Sequence, residues 1–320
     1  VAPPPQLESI SFVGSAMWFK NLKLFRLSNE WSWTISQIED FLNKERFTQA
    51  DANAATAVGW VAVREEDERL AYPIGKQIIC AFRSEKKLLP ASVINQFVKA
   101  RANELEEQQG FKPGRKQRRD LKEEVTGALL PRAFSLIRDT RVWIDPVNHW
   151  LAIDTASTSK SEEVISALGK AIYPFPVEPV QLGISPAVAM TAWISSGQPP
   201  TYFTIDQDAE LRSGGDKAAA VRYVKHALDS EDIDKHIKNG KQCTRLALTW
   251  NDRVSFVLNE NLDIKRIAPQ DVLDESEQTA IDNEAEKFDS DMTLMCAELN
   301  QLLSALLNAL EEKTTPQKAT

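Results

Sequence analysis

The sequence predicts an α+β fold: mixed or antiparallel sheets with helices, a protruding helical hairpin and a long C-terminal helix. Three observations support this prediction. Short β-branched runs alternate with stretches of helical apolar spacing, a Gly/Pro break separates two charged helical stretches, and a long apolar repeat occupies the C-terminal region. With 320 residues and 42% apolar composition, the chain can form two or three domains with a substantial core.

The first elements follow an unpatterned N-terminus. Residues 1–16 are rich in proline, and we expect them to be an expression remnant or disordered, with the natural chain starting after them. Alternating apolar positions in Trp18–Leu27 predict a strand. The helical apolar spacing of Trp33–Leu42, with Ser32 or Thr34 as the N-cap, predicts a helix directly after that strand.

Two strands and the helical hairpin come next. Gly59–Val63 and Gln77–Phe82 are short β-branched or aromatic runs, which predict strands of an antiparallel sheet. Residues 90–130 then change character. An apolar helical stripe predicts a helix over Ala91–Gln109, a Gly/Pro break ends it, and a second helix is expected over Arg115–Leu130. The tip of this hairpin carries the stretch FKPGRKQRRDLK, with six bases and one acid.

The middle of the chain contains a hairpin, a helix and a boundary. Two apolar runs flank the turn Asp145–Asn148 and predict a β-hairpin, after which Ser159 or Ser161 is expected to cap a helix. Residues 173–186 include four prolines, which excludes a helix and indicates a domain boundary. The predicted units are a central α/β domain (17–89 with 131–180), the hairpin tip (90–130), a C-terminal α+β domain (181–313) and a disordered tail (314–320).

The C-terminal domain ends in the most regular pattern of the chain. Residues 187–270 predict a helix, a glycine stop and several β-runs joined by Asn- and Asp-containing turns. Beyond them, apolar residues recur at alternating steps of four and three, as in a helix that packs lengthwise on a partner. These residues are Ile281, Ala285, Phe288, Met292, Met295, Leu299, Leu302, Leu306 and Ala309. The partner is either the protein's own sheet or a second subunit, contacted through Leu299, Leu302 and Leu306.

The net charge of −8 is unevenly distributed. Between Asp271 and Glu312, twelve acids stand against the single base Lys287, so the rest of the chain is slightly basic. The bases cluster at the hairpin tip and in the strings GKQCTR (240–245) and IKRI (264–267). Each cluster alone is better explained as ordinary solvated surface, but the uneven distribution leaves nucleic-acid binding open despite the negative total.

No residue pattern indicates an enzyme strongly. Asp145, His149 and Asp154 lie close together in sequence and are the best candidates for a metal-dependent nuclease, although turn formation explains the first equally well. His226 and His236 lack the cysteines of a zinc site. Three widely spaced cysteines predict reduced core residues rather than disulfides, and no apolar run is long enough for a membrane span. We therefore expect a cytosolic binding protein without cofactor or metal.

Five strings resemble a known family. They are MWFKNLKLFRL (17–27), LLPRAFS (129–135), VWID (142–145), NGKQCTRLALTWNDRVSFVL (239–258) and KFDSDMTLMCAELNQLL (287–303). Their order and spacing resemble the bacterial recombination-associated RdgC family over roughly residues 17–310. The resemblance implies a ring-shaped homodimer, closed by two subunit contacts around a positively lined hole that accommodates duplex DNA.

The same resemblance implies a function and particular residues. Family members bind DNA with little sequence preference, restrain RecA-promoted strand exchange and are not enzymes, which places this protein in the cytoplasm at the nucleoid. It also assigns DNA contact to Arg132 and Phe134 of the PRAF motif, with Phe134 at a subunit contact as well. A Lys-Gln pair that lines the hole in relatives matches Lys225 and His226, where histidine replaces glutamine. The basic hairpin residues Arg115, Lys116, Arg118 and Arg119 complete the expected DNA contacts.

Two other hypotheses remain open at this stage. In the first, the protein regulates recombination by contacting RecA or another protein directly, with its acidic C-terminal segment imitating DNA. In the second, it is a metal-dependent nuclease. Whether single-stranded DNA is bound as well as duplex is also open. The leading hypothesis requires a polarised subunit, in which Lys and Arg face the DNA and residues 271–312 face away from it.

Overall fold

The computed structural model describes residues 18–215, 219–226, 228, 230–270 and 284–311. In these residues the predicted α+β class is confirmed, because a 12-stranded sheet with antiparallel strand pairing is accompanied by seven α-helices, the last of them long. The expected remnant at 1–16 and the tail at 314–320 lie outside the described residues. Residues 271–283, the first part of the acidic segment, lie outside them too.

The elements are numbered in chain order. The strands are β1 (Asn21–Leu27), β2 (Thr56–Val61), β3 (Tyr72–Ile74), β4 (Gln77–Lys87), β5 (Ser135–Asp145), β6 (Trp150–Ile153), β7 (Val177–Pro179), β8 (Phe203–Ser213), β9 (Ala220–Tyr223), β10 (Lys241–Trp250), β11 (Val254–Asn259) and β12 (Ile264–Pro269). The helices are α1 (Ile35–Lys44), α2 (Ala91–Gln109), α3 (Arg115–Leu129), α4 (Thr158–Ala171), α5 (Pro186–Ser196), α6 (Ser230–Lys238) and α7 (Glu284–Glu311). A 3-10 turn, Leu130–Arg132, follows α3.

One strand joins the two halves of the sheet. The strand order is β2-β4-β5-β6-β1-β12-β11-β10-β8-β9, with β3 beside β4 and β7 beside β1. Lys23 of β1 pairs with Ile153 of β6, while Leu22 pairs with Ile264 of β12. The N-terminal half (β1 to β7) and the C-terminal half (β8 to β12) therefore form one continuous sheet, and the predicted division into domains stays a prediction.

Two apolar clusters lie on opposite faces of this sheet, because side chains alternate along each strand. On the first face, α5, α6 and α7 cover Leu22 and the core positions of the C-terminal half, such as Leu246 and Phe256. On the second face, α1 and α4 cover the N-terminal half, including Ile153 and Phe82. Among the described residues, no helix covers the second face of the C-terminal half. This surface is called the open face below.

Helix termini follow the sequence closely in one case and depart from it in another. Thr34 caps α1 and forms a capping box with Gln37, as the Ser32-or-Thr34 prediction allows. The prediction that Ser159 or Ser161 caps α4 is wrong. The hydroxyl of Ser157 accepts from the backbone N–H of Lys160 instead, so the helix begins earlier and Ser161 is buried within it.

The predicted helical hairpin is present and extends from one end of β4 and β5. Helix α2 has no buried residue and packs mainly on α3, of whose residues only Val125 is buried. Gly110 ends α2 in the left-handed region, with φ of 79°, a conformation that glycine adopts without strain. The hairpin thus projects into solvent with its basic tip farthest from the sheet.

Candidate nucleic-acid interface

The open face carries a row of charged residues across three neighbouring strands. Arg222 of β9 lies opposite Glu210 of β8, and Glu210 lies opposite Arg245 of β10. Directly opposite residues of an antiparallel sheet have Cβ atoms about 5 Å apart, so the three side chains are close neighbours on one face. Strand pairing therefore brings together charges that are far apart in the sequence.

The carboxylate of Glu210 is fully engaged. Its side chain is buried, Oε1 accepts from Arg212 Nε at 2.6 Å, and Oε2 accepts from Arg222 Nε. The hydroxyl of Thr244 also donates to Oε1 at 3.3 Å. Burial opposes ionisation, but the hydrogen bonds from Arg222 and Arg212 outweigh it, and the pKa of Glu210 lies below its ordinary value. Glu210 is therefore an ionised anchor for two arginines.

Asp208 anchors two more cationic residues. Its Oδ1 accepts from the backbone N–H of Lys225 at 2.8 Å, and its Oδ2 lies 3.9 Å from Nη1 of Arg266. Arg266 belongs to β12, which is separated from β8 by two strands. The side chains of Asp208 and Arg266 therefore meet across the open face, over the two intervening strands.

Arg245 is the exception to this pairing. It is half-buried and stands in register with Glu210, yet that carboxylate is already bound by other arginines. Within the described residues, Arg245 has no carboxylate at ion-pair distance. Its side chain lines a cavity of about 200 Å³, together with Arg222, Arg266, Val224 and Val257.

Lys225 and His226, taken from the resemblance, lie directly beside this cavity. Both are exposed and follow the last residue of β9. The backbone of Lys225 is left-handed, with φ of 49°, and the N–H of His226 donates to the carbonyl of Gln207 at 3.3 Å. The His226 ring lies 6.2 Å from the ring of Tyr223. Both predicted residues thus belong to the same cationic surface as Arg222. Arg222 itself was not predicted from the sequence.

Arg132 and Phe134 lie elsewhere, at the base of the hairpin. Arg132 is exposed in the 3-10 turn, and Phe134 is 84% exposed while its carbonyl accepts from the N–H of Leu88 at 2.7 Å. The exposed side chains of Val58, Leu88 and Leu136 belong to the same face of the neighbouring strand ends. These four apolar residues, Val58, Leu88, Phe134 and Leu136, form what we call the hairpin-base patch.

The basic residues of the hairpin tip form a third, separate location. Arg115, Lys116 and Arg118 are exposed in the first turns of α3. Arg119 is also exposed, with Glu123 3.9 Å from its Nε. The tip therefore presents cations to solvent, but the structure of one subunit does not bring them next to Lys225.

The three leucines expected at a subunit contact require a correction. Leu299, Leu302 and Leu306 are fully buried in the first-face core, where α7 packs on its own sheet. Of the two partners that the apolar repeat allowed, the protein's own sheet is the one observed. Because these side chains are enclosed within one subunit, they are not available to a second one.

The three residues of the nuclease hypothesis have structural roles. Asp145 is fully buried, and its carboxylate accepts from the backbone N–H groups of Val147 and Asn148 and from the side chains of Gln77, Asn148 and Asn300, at 2.8 to 3.0 Å. Asp154 accepts from the N–H groups of Lys20 and Asn21 and from Arg141, and His149 occupies a left-handed turn. Across the described residues, no group of three His, Cys, Asp or Glu side chains is arranged to hold a metal.

The cysteines are core residues, as predicted. Cys80, Cys243 and Cys296 are free and buried. Burial raises the pKa of the Cys243 and Cys296 thiols to about 12 and raises that of Cys80 further, so all three are protonated at neutral pH. In the part of the chain that the structure describes, no helix is long and apolar enough to cross a membrane.

Comparison with known proteins identifies the family. The model of the RdgC family, described as "Putative exonuclease, RdgC", matches residues 17–313. The chain belongs to the RdgC family. A relative from Bordetella parapertussis is 53% identical over 294 residues, which cover 92% of this chain and 98% of that protein. A relative from Burkholderia cenocepacia is 52% identical over 306 residues, which cover 95% of this chain and 99% of that protein. Both carry the name "Recombination-associated protein RdgC".

The description of the family model and the name of the relatives differ in the activity that they mention. The family model is described with the word exonuclease, whereas the relatives are named for recombination. A relative from Cupriavidus pinatubonensis, 52% identical over 92% of this chain and 98% of its own length, has the recombination name as well. The resemblance stated from the five sequence strings is thereby confirmed at the level of the family.

Proposed function

We propose that this protein binds duplex DNA without sequence preference, encircles it as a ring-shaped homodimer and thereby restrains RecA-promoted recombination. The observation that carries the proposal is the cationic open face. Arg212, Arg222, Arg245 and Arg266 lie there with Lys225, five cations against the three carboxylates Asp206, Asp208 and Glu210. Glu210 is paired with Arg212 and Arg222, Asp208 faces Arg266, and Asp206 accepts from the Thr249 hydroxyl. A bound phosphate therefore meets an excess of positive charge.

The arrangement suits DNA whose sequence is not read. Arginine and lysine neutralise phosphates at any sequence, and the resulting release of counterions supplies the binding energy. Anchoring by Glu210 and Asp208 fixes the cations before DNA arrives, which lowers the entropic cost of ordering flexible side chains on binding. A protein that acts in this way on chromosomal DNA resides in the cytoplasm at the nucleoid.

The distances within one subunit favour a dimer around the DNA. Strands β5 and β9 are separated by six other strands, so the hairpin base and Lys225 are about 34 Å apart at the usual strand spacing. The hairpin-base patch exposes four apolar side chains, and Phe134 is its most exposed member. We assign one subunit contact to this patch, because clustered exposed apolar side chains mark association surfaces. Arg132 lies next to it and, with the hairpin tip, meets the DNA from the side opposite Lys225.

Salt-dependent binding tests the proposal. We expect the affinity for a fluorescent 30-base-pair duplex to fall linearly with salt concentration on logarithmic axes, and to be nearly equal for two unrelated sequences. A salt-independent or strongly sequence-selective interaction contradicts it. A single-stranded oligonucleotide of the same length, measured in parallel, establishes which form of DNA is preferred.

The protein-contact hypothesis has less support from the structure. Asp291 and Glu298 of the acidic segment are buried, Glu298 is paired with Arg253, and Asp289 accepts from the Tyr72 hydroxyl. These carboxylates are engaged within the fold rather than presented as a copy of DNA phosphates. Residues 271–283, which hold much of the remaining acid, lie outside the described residues. Direct binding of RecA in the absence of DNA is the measurement that favours this alternative.

Nuclease activity is tested separately. Since Asp145 and Asp154 are saturated with hydrogen bonds from the protein, we propose that the chain is not an enzyme. Linear and circular plasmid incubated with magnesium or manganese should remain intact. Degradation that co-purifies with the protein overturns this part of the proposal.

A further inference from the structure

The cavity around Arg245 is lined by three arginines and by two carboxylates, Asp208 and Glu210, so one positive charge is left over for an anion. Its cationic lining consists of Arg222, Arg245 and Arg266, which come from three different strands of the open face. At about 200 Å³ the cavity has room for a phosphate group and part of the attached sugar. Guanidinium groups suit such a ligand, because their planar array of donors matches the oxygens of a phosphate.

The two carboxylates of the cavity are already bound by residues other than Arg245. Both oxygens of Glu210 are bound by Arg212 and Arg222, and Asp208 is shared between Arg266 and the backbone of Lys225. Arg245 is therefore left as a half-buried cation whose in-register neighbour cannot pair with it. A partly desolvated cation attracts an anion more strongly than an exposed one does, since the local dielectric constant is lower.

The remaining lining suits the carbon skeleton next to a phosphate. Val257 is buried on the open face, and Val224 is 67% exposed at the rim of the cavity. Sugar and base atoms can pack on these side chains while the phosphate oxygens face the arginines. Neither valine reads a base edge, so such contacts carry no sequence information.

We propose that this cavity binds one phosphate of the DNA backbone, with Arg245 as its central ligand and Arg222 and Arg266 at its rim. The inference rests on the proposed DNA-binding function and adds the position at which the backbone is gripped. A phosphate seated here places the adjoining nucleotides over Lys225 and His226. The cavity thereby sets the path of the strand across the open face.

Measurement of affinity against salt for matched variants tests the inference. Arg245→Gln should lower the affinity for a labelled duplex about tenfold and reduce the logarithmic salt slope by about one, the effect of losing one phosphate contact. Arg245→Lys should keep the slope and lose part of the affinity, because an ammonium lacks the paired donors of a guanidinium. Lys44→Gln, which removes one charge from exposed Lys44 of α1, is the control and should leave both values unchanged.

The possible failures are distinguishable. Arg245 has no carboxylate partner among the described residues, so its removal orphans no acid, and thermal unfolding and circular dichroism should match the unmodified protein. If the unmodified protein binds DNA and Arg245→Gln binds equally with the same slope, the inference is wrong while the proposed function stands. If the unmodified protein does not bind DNA, the proposed function fails. If inorganic phosphate stabilises the unmodified protein but not Arg245→Gln while DNA affinities are equal, the cavity takes free anions, which also overturns the inference.

Discussion

The backbone N–H of Lys225 donates a hydrogen bond to Oδ1 of Asp208 at 2.8 Å, so an acid fixes the position of a base at the edge of the open face. Lys225 has a left-handed backbone that a lysine rarely adopts without support. The other oxygen of Asp208 faces Arg266. This carboxylate therefore organises cations on a surface where its own charge opposes phosphate binding.

The two roles of Asp208 predict opposite effects for two substitutions. Asp208→Asn removes the charge and keeps an oxygen acceptor, so DNA affinity should rise or stay equal. Asp208→Ala removes the charge and the acceptor, and the affinity for DNA should fall about threefold or more because Lys225 and Arg266 lose their anchor. Duplex titrations at fixed salt measure both, with Lys225→Ala as a reference for loss of the base itself. Tighter binding by Asp208→Ala would show that only charge matters here.

The hairpin-base patch predicts a change in assembly. Phe134→Ser should weaken association of the dimer and retention of DNA, because it removes the most exposed apolar side chain of one of the two proposed subunit contacts. The subunit itself should stay folded, since an 84% exposed phenylalanine contributes little to its stability. Sedimentation velocity measures the assembly state. Phe111→Ser is the matched control, because Phe111 is 61% exposed at the hairpin tip, away from the patch. An unchanged dimer dissociation constant for Phe134→Ser removes the patch from the subunit contact.

The buried carboxylate of Asp145 predicts a loss of stability rather than of catalysis. Asp145→Ala leaves several buried donors without an acceptor, and the free energy of unfolding should fall by about 3 kcal/mol or more. Urea unfolding measures this value. Asp51→Ala, at an exposed position, should change stability by less than about 0.5 kcal/mol. Equal stability of the two variants would contradict the structural role of Asp145.

The depressed pKa of Glu210 predicts a pH dependence of stability. A carboxyl whose pKa is lower in the folded state contributes stability above its unfolded pKa of about 4.3 and loses that contribution as the pH falls through the folded value. The difference in unfolding free energy between the unmodified protein and Glu210→Gln should therefore be largest near pH 6 and shrink towards pH 3. A difference that stays constant over this range means that Glu210 is not held ionised by Arg212 and Arg222.

Local sequence patterns predicted the individual helices and strands better than they predicted how the strands pair in the sheet. Strand β1, helix α1 and the α2–α3 hairpin follow from apolar periodicity, capping chemistry and a glycine break, which depend on neighbouring residues only. That β1 pairs with both β6 and β12, and so unites the two halves of the sheet, depends on contacts between distant segments. No local pattern contains that information.

In the candidate site too, local patterns predicted some residues, and contacts between distant segments decided the others. The basic strings at 240–245 and 264–267 pointed to Arg245 and Arg266, but Arg222 was missed because β9 is short and irregular in pattern. Only the strand register places Arg222, Glu210 and Arg245 in one row. Burial likewise decided the role of the C-terminal leucines, since the same apolar repeat suits an internal core and a subunit contact equally well.

We expect DNA to lie on the open face of the C-terminal half of the sheet. The most direct measurement is photo-crosslinking from a duplex with reactive groups at random backbone positions, followed by mapping of the attached peptides. We predict crosslinks in the peptides that contain Arg222 to His226, Arg245 and Arg266, with further ones near Arg132. Crosslinks confined to α1 and α4, on the N-terminal half, would contradict the account.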